Sequence, residues 1–260
     1  MYERLHLEDE DEFFRVSTGS LPDLEVVREV MTEAYARFAD ENWVKAADYL
    51  PAVARVSPDL LGVSMVGVGG ADIGMGDCDH LFSIQSISKP FVFALVCQAL
   101  GAEGARARVG VNATGLPFNS VMAVELNADR TMNPMVNAGA IATTSCVPGA
   151  NAEEKFRFIQ DGLSRFAGRR LEVDEEVYTS EAETNLRNRG IAKLLEGYDR
   201  MYWDALEATD IYTRQCSLNV TAKDLAVMGA TLAGGGVNPL TQERVIDARN
   251  CRRVLASLAT

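Results

Sequence analysis

Residues 83–101 read Ser83-Ile-Gln-Ser86-Ile-Ser-Lys89-Pro90-Phe-Val-Phe-Ala-Leu-Val-Cys97-Gln-Ala-Leu-Gly101. From Ile87 to Leu100 the run is apolar on nearly every helical face and closes on a glycine, so it predicts a helix buried all round and ending at Gly101. Pro90 is compatible with this helix because it falls in the first turn, where backbone N–H groups lack intrahelical partners. Ser86 and Lys89, three apart at the helix start, lie on one face, so the amine can approach the hydroxyl without long-range contacts. Burial lowers a lysine pKa and yields a neutral amine able to take a serine proton. Free N–H groups at the helix start could help to hold an oxyanion. A chain of this length contains about one S-x-x-K by chance, and such a serine is often only a helix cap. The pair alone therefore leaves catalysis and capping both open.

Working outward, the chain before this helix carries short apolar runs from Leu61 to Met75 around Gly69-Gly70, which predict a β-hairpin. The glycines match neither dinucleotide nor phosphate-loop spacing. Farther upstream, Ser20-Leu-Pro-Asp23 has the form of a helix start, followed by Leu24, Val27, Met31, Ala34 and Phe38 at helical spacing. Downstream the chain reads as mainly helical. Ser180-Glu-Ala-Glu183 predicts a capping box opening a helix through Leu194 and Leu195. Further helices are expected over Ala222–Leu232 and Arg249–Leu258. Strands near the start and a helical centre give an α+β chain, an α/β mix with a helical lobe.

The chain has 260 residues, 47% of them hydrophobic, enough for a substantial core. Its formal charge of −12 argues against nucleic acid or an anionic membrane as partner. Residues 1–16 form an acidic tail without the basic start and apolar stretch of a signal peptide. No run is long enough to span a membrane. A cytoplasmic protein is expected. Five separated cysteines (Cys78, Cys97, Cys146, Cys216, Cys251) suggest buried free thiols, with neither disulfides nor a metal site.

Three polar groups stand out besides Ser86 and Lys89. Asn133-Pro-Met-Val-Asn137-Ala-Gly-Ala allows close backbone approach and could present an amide to a ligand, or could be a tight helix contact. Glu181, Asn185 and Asn188 fall at i, i+4 and i+7, one face of the predicted capped helix, which read blandly is a solvent face. Tyr212-Thr-Arg-Gln-Cys216-Ser-Leu-Asn219 holds an S-x-N that a turn or cap explains equally well. A Ser-His-Asp scheme is poorly supplied, since only His6 and His80 are available and His80 reads as an exposed loop residue.

Together these segments resemble the glutaminase family, serine-dependent enzymes of β-lactamase-like fold. The match runs in order through Ala47-Asp-Tyr49-Leu-Pro51, Ser83–Pro90, Gly115-Leu-Pro-Phe118-Asn-Ser120 and Asn133–Ile141. It continues through Ser180-Glu181, Thr184-Asn185, Arg187-Asn188, Tyr212 with Gln215-Cys216-Ser217, and Asn238-Pro-Leu-Thr241. The resemblance implies a serine β-lactamase or DD-peptidase-like fold, an antiparallel sheet flanked by helices with a mainly helical subdomain (about 86–215), within one catalytic domain over 17–260. It implies hydrolysis of L-glutamine to L-glutamate and ammonia, with no cofactor or metal. Ser86 would be the nucleophile, Lys89 its base, and Tyr212 would lie against nucleophile and substrate. Tyr49, Asn137, Glu181 and Asn188 would grip the amino-acid end, and the protein would be a homo-oligomer.

In this family the stretch after Val254–Thr260 continues into C-G-M-Y and K-S-G-V-G-G-G segments. Their absence predicts a missing final strand, an exposed sheet edge, and a lost oxyanion donor worth about a hundredfold or more in rate. Two alternatives follow: another serine acyl-transfer hydrolase of this fold, or an inactive chain that binds glutamine or assembles with intact subunits.

Overall fold

The run that follows Lys89 forms the central helix of the protein. In the computed structural model, which describes residues 22–39 and 51–260, α2 spans Ser88–Arg108. Every residue from Ser88 to Cys97 is buried, which accounts for a sequence without a polar face. Gly101, at φ 71° and ψ 165°, does not end the helix as its sequence suggests. It adopts a conformation that suits glycine, kinks the helix, and lets it resume to Arg108. Residues 44–50, with Tyr49, and the tail over 1–16 lie outside the described residues.

Around α2 pack α4 (Asn137–Ser145), α5 (Ala152–Ala167) and α10 (Ala248–Leu258). α8 (Ala205–Cys216) lies against α4, α5 and α7 (Leu186–Gly197), with α6 (Glu175–Thr184) beside it. The short α3 (Met122–Leu126) and α9 (Ala222–Ala233) complete the set begun by α1 (Leu24–Phe38). One core gathers Phe91, Leu95, Leu163, Phe166, Ile211 and Val254. A second gathers Val124, Ile141, Ile191, Leu195, Tyr212 and Cys216. α8 contributes to both, so it runs along the seam between them.

The expected hairpin is present as β1 (Gly62–Val66) and β2 (Asp72–Gly76), antiparallel with Gly62 opposite Gly76 and Val66 opposite Asp72. Val66 packs on Val227 and Ala230 of α9. A second antiparallel pair joins β3 (Phe82–Ser83) to β4 (Asn219–Val220). Ile84 N–H donates to Leu218 O at 2.8 Å, so the strand entering Ser86 is tied to the strand leaving α8. Among the described residues the protein is thus a helix-rich α+β fold with small antiparallel sheets.

One helix start differs from its reading. Ser180 lies inside α6, whose N-cap is Asp174, with Val177 N–H donating to Asp174 Oδ1 at 3.0 Å. Asp174 followed by Glu175 and Glu176 places acceptor and negative charge where the helix N-terminus is positive. The S-x-x-E pattern within that helix caps nothing. A true capping box occurs instead at Thr221 and Asp224, opening α9.

Candidate active site

β3 delivers the chain into a single 3₁₀ turn, Gln85–Ile87, from which α2 continues. Gln85 has φ +49°, a left-handed conformation uncommon for a residue with a side chain. Across this turn exposure switches sharply: Ser86 is open, whereas Ser88, Lys89 and Pro90 are buried. The nucleophile candidate therefore faces outward from the end of a buried helix.

Lys89 is 4% exposed. Its Nζ donates to Asn137 Oδ1 at 2.8 Å and to Met135 O at 3.3 Å. Both acceptors are neutral, so little offsets the loss of hydration, and burial lowers the amine to about 8. The Phe118 ring, 5.7 Å from Nζ to its centroid, forms one wall of this environment. Local sequence builds the acceptors. Asn133 Oδ1 accepts from Met135 N–H at 2.9 Å, folding the chain so that the Met135 carbonyl meets Lys89. The turn lies so close over α4 that a β-carbon on Gly139 would fall 1.9 Å from Asn133 O, which answers why this stretch is small.

Tyr212, 2% exposed, comes from α8 and brings its hydroxyl beside Ser86 and Cys216 at the same cavity. Burial, with the neighbouring Cys216 next, raises this phenol well above its usual range, so it stays protonated. The Cys216 thiol is itself pushed up to about 12 by burial and then by Glu181. Glu181 is held above the usual carboxylate range by burial, opposed by the Gln85 amide, whose Nε2 donates to Glu181 Oε2 at 3.4 Å.

Ser86, Asn137, Glu181, Asn188 and Tyr212 line one cavity of about 410 Å³, together with Gln85, Phe118, Arg187 and Cys216. Asn137 bridges it, donating from Nδ2 to Asn188 Oδ1 at 3.0 Å. Glu181, Asn185 and Asn188 do not share one face of one helix as expected. α6 ends at Thr184, Asn185 sits in the joint at φ −80° and ψ 36°, and Asn188 lies in the first turn of α7. Asn185 and Asn188 are each 8% exposed, so the solvent-face reading does not hold for them. Asn185 Nδ2 donates to Thr213 Oγ1 at 2.7 Å, which locks the joint onto α8.

Gln85 and Arg187 were not singled out from the sequence. Gln85 sits beside the motif serine, but only its backbone turn makes it part of the wall. Arg187 places a guanidinium, suited to a carboxylate, at the cavity. Ser217 and Asn219 serve structure: Ser217 Oγ donates to Thr213 O at 2.9 Å, and Asn219 pairs with Ser83 in the small sheet. His80 is exposed and absent from the cavity wall. Among the described residues no three His, Cys, Asp or Glu side chains are grouped as metal ligands would be.

A serine hydroxyl, a protonated phenol and one carboxylate thus line a cavity of amino-acid size, and a buried amine of lowered pKa lies behind its wall, bonded to the lining Asn137. Comparison with known proteins points to one family. The model of a family described as Glutaminase matches residues 45–260. A protein named Glutaminase 2 from Yersinia pestis is 58% identical over 245 residues, covering 94% of this chain and 72% of its own. A solved structure of the probable glutaminase ybaS is 42% identical with a TM-score of 0.88, covering 91% of this chain and 76% of that one. A probable glutaminase from Bacillus subtilis, solved in complex with 6-diazo-5-oxo-L-norleucine, is 30% identical with a TM-score of 0.76, over 93% of this chain and 74% of that one.

Proposed function

This chain belongs to the glutaminase family, and from that premise we propose that it hydrolyses L-glutamine to L-glutamate and ammonia through an acyl-enzyme on Ser86. The observation that supports the assignment of roles is that Ser86, beside the Tyr212 hydroxyl, shares one cavity with Glu181 and with Asn137, whose Oδ1 accepts from the buried Lys89 amine of lowered pKa.

In the forward step Ser86 Oγ forms a bond to the side-chain carbonyl carbon of glutamine, and the hydroxyl proton passes to neutral Lys89, three residues farther along at the start of α2. The protonated lysine returns that proton to the amide nitrogen as the C–N bond breaks, and ammonia leaves. Water then adds to the ester and gives a proton to Lys89, which passes it to Ser86 Oγ as the Ser86–acyl bond breaks, releasing glutamate and restoring the neutral amine. Tyr212 remains a neutral phenol beside the reacting oxygen and stabilises charge there by hydrogen bonding.

The amino-acid end is held by charge and amide chemistry. Glu181 faces the α-ammonium group, and Arg187 with the Asn137 and Asn188 amides faces the α-carboxylate. Tyr49 joins this grip by family resemblance. The ligand of the Bacillus subtilis relative, an amino acid with a diazoketone where glutamine has its amide, supports a site of this shape. The same reading takes the protein to act in the cytoplasm as a homo-oligomer without a cofactor. Its five thiols, all free and buried, suit a reducing compartment.

Ammonia release from L-glutamine tests the proposal. Release by the protein and none by Ser86→Ala is expected; equal release by both overturns it.

A further inference from the structure

Behind the cavity wall a line of buried polar groups ends on the peptide that carries the nucleophile. Thr144 Oγ1 donates to Gln215 Oε1 at 3.1 Å, Gln215 Nε2 donates to Ser88 Oγ at 2.8 Å, and Ser88 Oγ donates to Gln85 O at 2.7 Å. Thr144 and Ser88 are fully buried and Gln215 is 1% exposed. None of the three lines the cavity, so none touches the substrate placed there. The direction of the chain is determinate. With its proton given to Gln85 O, the Ser88 hydroxyl can only accept from the amide, which leaves the Gln215 oxygen to accept from Thr144. The Cys216 thiol also lies against Ser88 but is a weak partner beside the amide.

The end point matters because Gln85 is the left-handed residue, at φ +49°. Such a conformation persists in a residue with a side chain only where its surroundings hold it. The Gln85 carbonyl accepts from both the N–H and the hydroxyl of Ser88. Because the peptide is planar, fixing that carbonyl also fixes the Ser86 N–H on the opposite side of the same plane. We propose that Thr144, Gln215 and Ser88 form a buried positioning relay that holds the Gln85–Ser86 peptide and so aims the nucleophile's hydroxyl and N–H into the cavity. The proposal rests on Ser86 being the nucleophile.

Steady-state kinetics on glutamine with Thr144→Val, Thr144→Ser, Ser88→Ala and the Ser88→Ala/Thr144→Val double variant test it. Thr144→Val keeps the shape and removes the donor. Its kcat should fall about tenfold with KM changed less than about twofold, because a misaimed nucleophile is lost mainly in the transition state. Thr144→Ser restores the hydroxyl and should restore kcat. The double variant should be no slower than Ser88→Ala, since both changes cut one line. Wild-type kcat in Thr144→Val, or losses that multiply in the double variant, would overturn the relay. A crystal structure of Ser88→Ala gives a reading independent of rate: Gln85 should relax out of positive φ, and its retention there contradicts the proposal. Ser86→Ala separates the two ideas. Ammonia release surviving in Ser86→Ala defeats the nucleophile, whereas a silent Ser86→Ala with fully active relay variants defeats the relay alone.

Discussion

Lys89 Nζ donates to Asn137 Oδ1 at 2.8 Å, and the same Asn137 side chain donates to Asn188 Oδ1 at 3.0 Å. One amide therefore joins the proposed base to the proposed substrate grip. Because it is uncharged, it orients the amine while favouring its cation far less than a carboxylate would, and burial brings Lys89 to about 8.

The pH dependence follows with a definite sign. A base works when deprotonated, so kcat/KM should rise with pH through a midpoint of about 8 and level off above it. Asn137→Asp puts a carboxylate beside the amine, favours its cation, and should move the midpoint upward by about one unit or more. A rate profile in the variant that stays near 8 or moves lower would count against Lys89 as the titrating group.

Charge and basicity can be separated at the same position. Lys89→Arg preserves a cation that does not deprotonate, and Lys89→Met removes the charge while retaining much of the volume. Both should lose kcat by about a hundredfold or more, the range of a lost general base. Near-normal turnover in Lys89→Arg would mean that the site needs only the charge.

At the other end of the substrate, Glu181→Gln should raise KM for L-glutamine by about tenfold to a hundredfold, the worth of a charge-assisted hydrogen bond. Glutaric acid monoamide, which lacks the α-ammonium group, supplies the control. It should be a poor substrate for the wild type and no poorer for Glu181→Gln. If both substrates lose equally, Glu181 supports the cavity without reading the ammonium.

Gly139→Ala tests the turn behind the base. The added carbon would meet Asn133 O at 1.9 Å, so the turn presenting Met135 O must open. Overpacking of this kind costs about 1–3 kcal/mol, measurable by urea unfolding, and activity should fall with it. Unchanged stability would mean that the turn is looser than its geometry indicates.

How much of this the sequence held depends on whether each feature is local. The Ser86–Lys89 spacing and the unbroken apolar run behind it are local features, legible within a few turns of sequence. The small residues over 138–140 signalled a close approach, while whether it was to a ligand or to another part of the chain stayed open. The meeting of Tyr212 with Ser86 was accessible only through family resemblance, because it requires α8 to return along the seam between two cores. Gln85 escaped notice since only glycine advertises a positive φ. Ser180 misled because S-x-x-E also arises within a helix whose acidic start lies earlier, at Asp174. Asn185 and Asn188 read as surface because their burial depends on a break between two short helices that no glycine or proline marks.

The central claim is that Ser86 Oγ is the atom that takes up the substrate's acyl group. The most direct measurement is intact-mass and peptide mapping after incubation with 6-diazo-5-oxo-L-norleucine, with L-glutamine as competitor. The account predicts one equivalent of adduct on the peptide containing Ser86, protection by L-glutamine, and no adduct in Ser86→Ala. Stoichiometric adduct on another residue, or full labelling of Ser86→Ala, would contradict it.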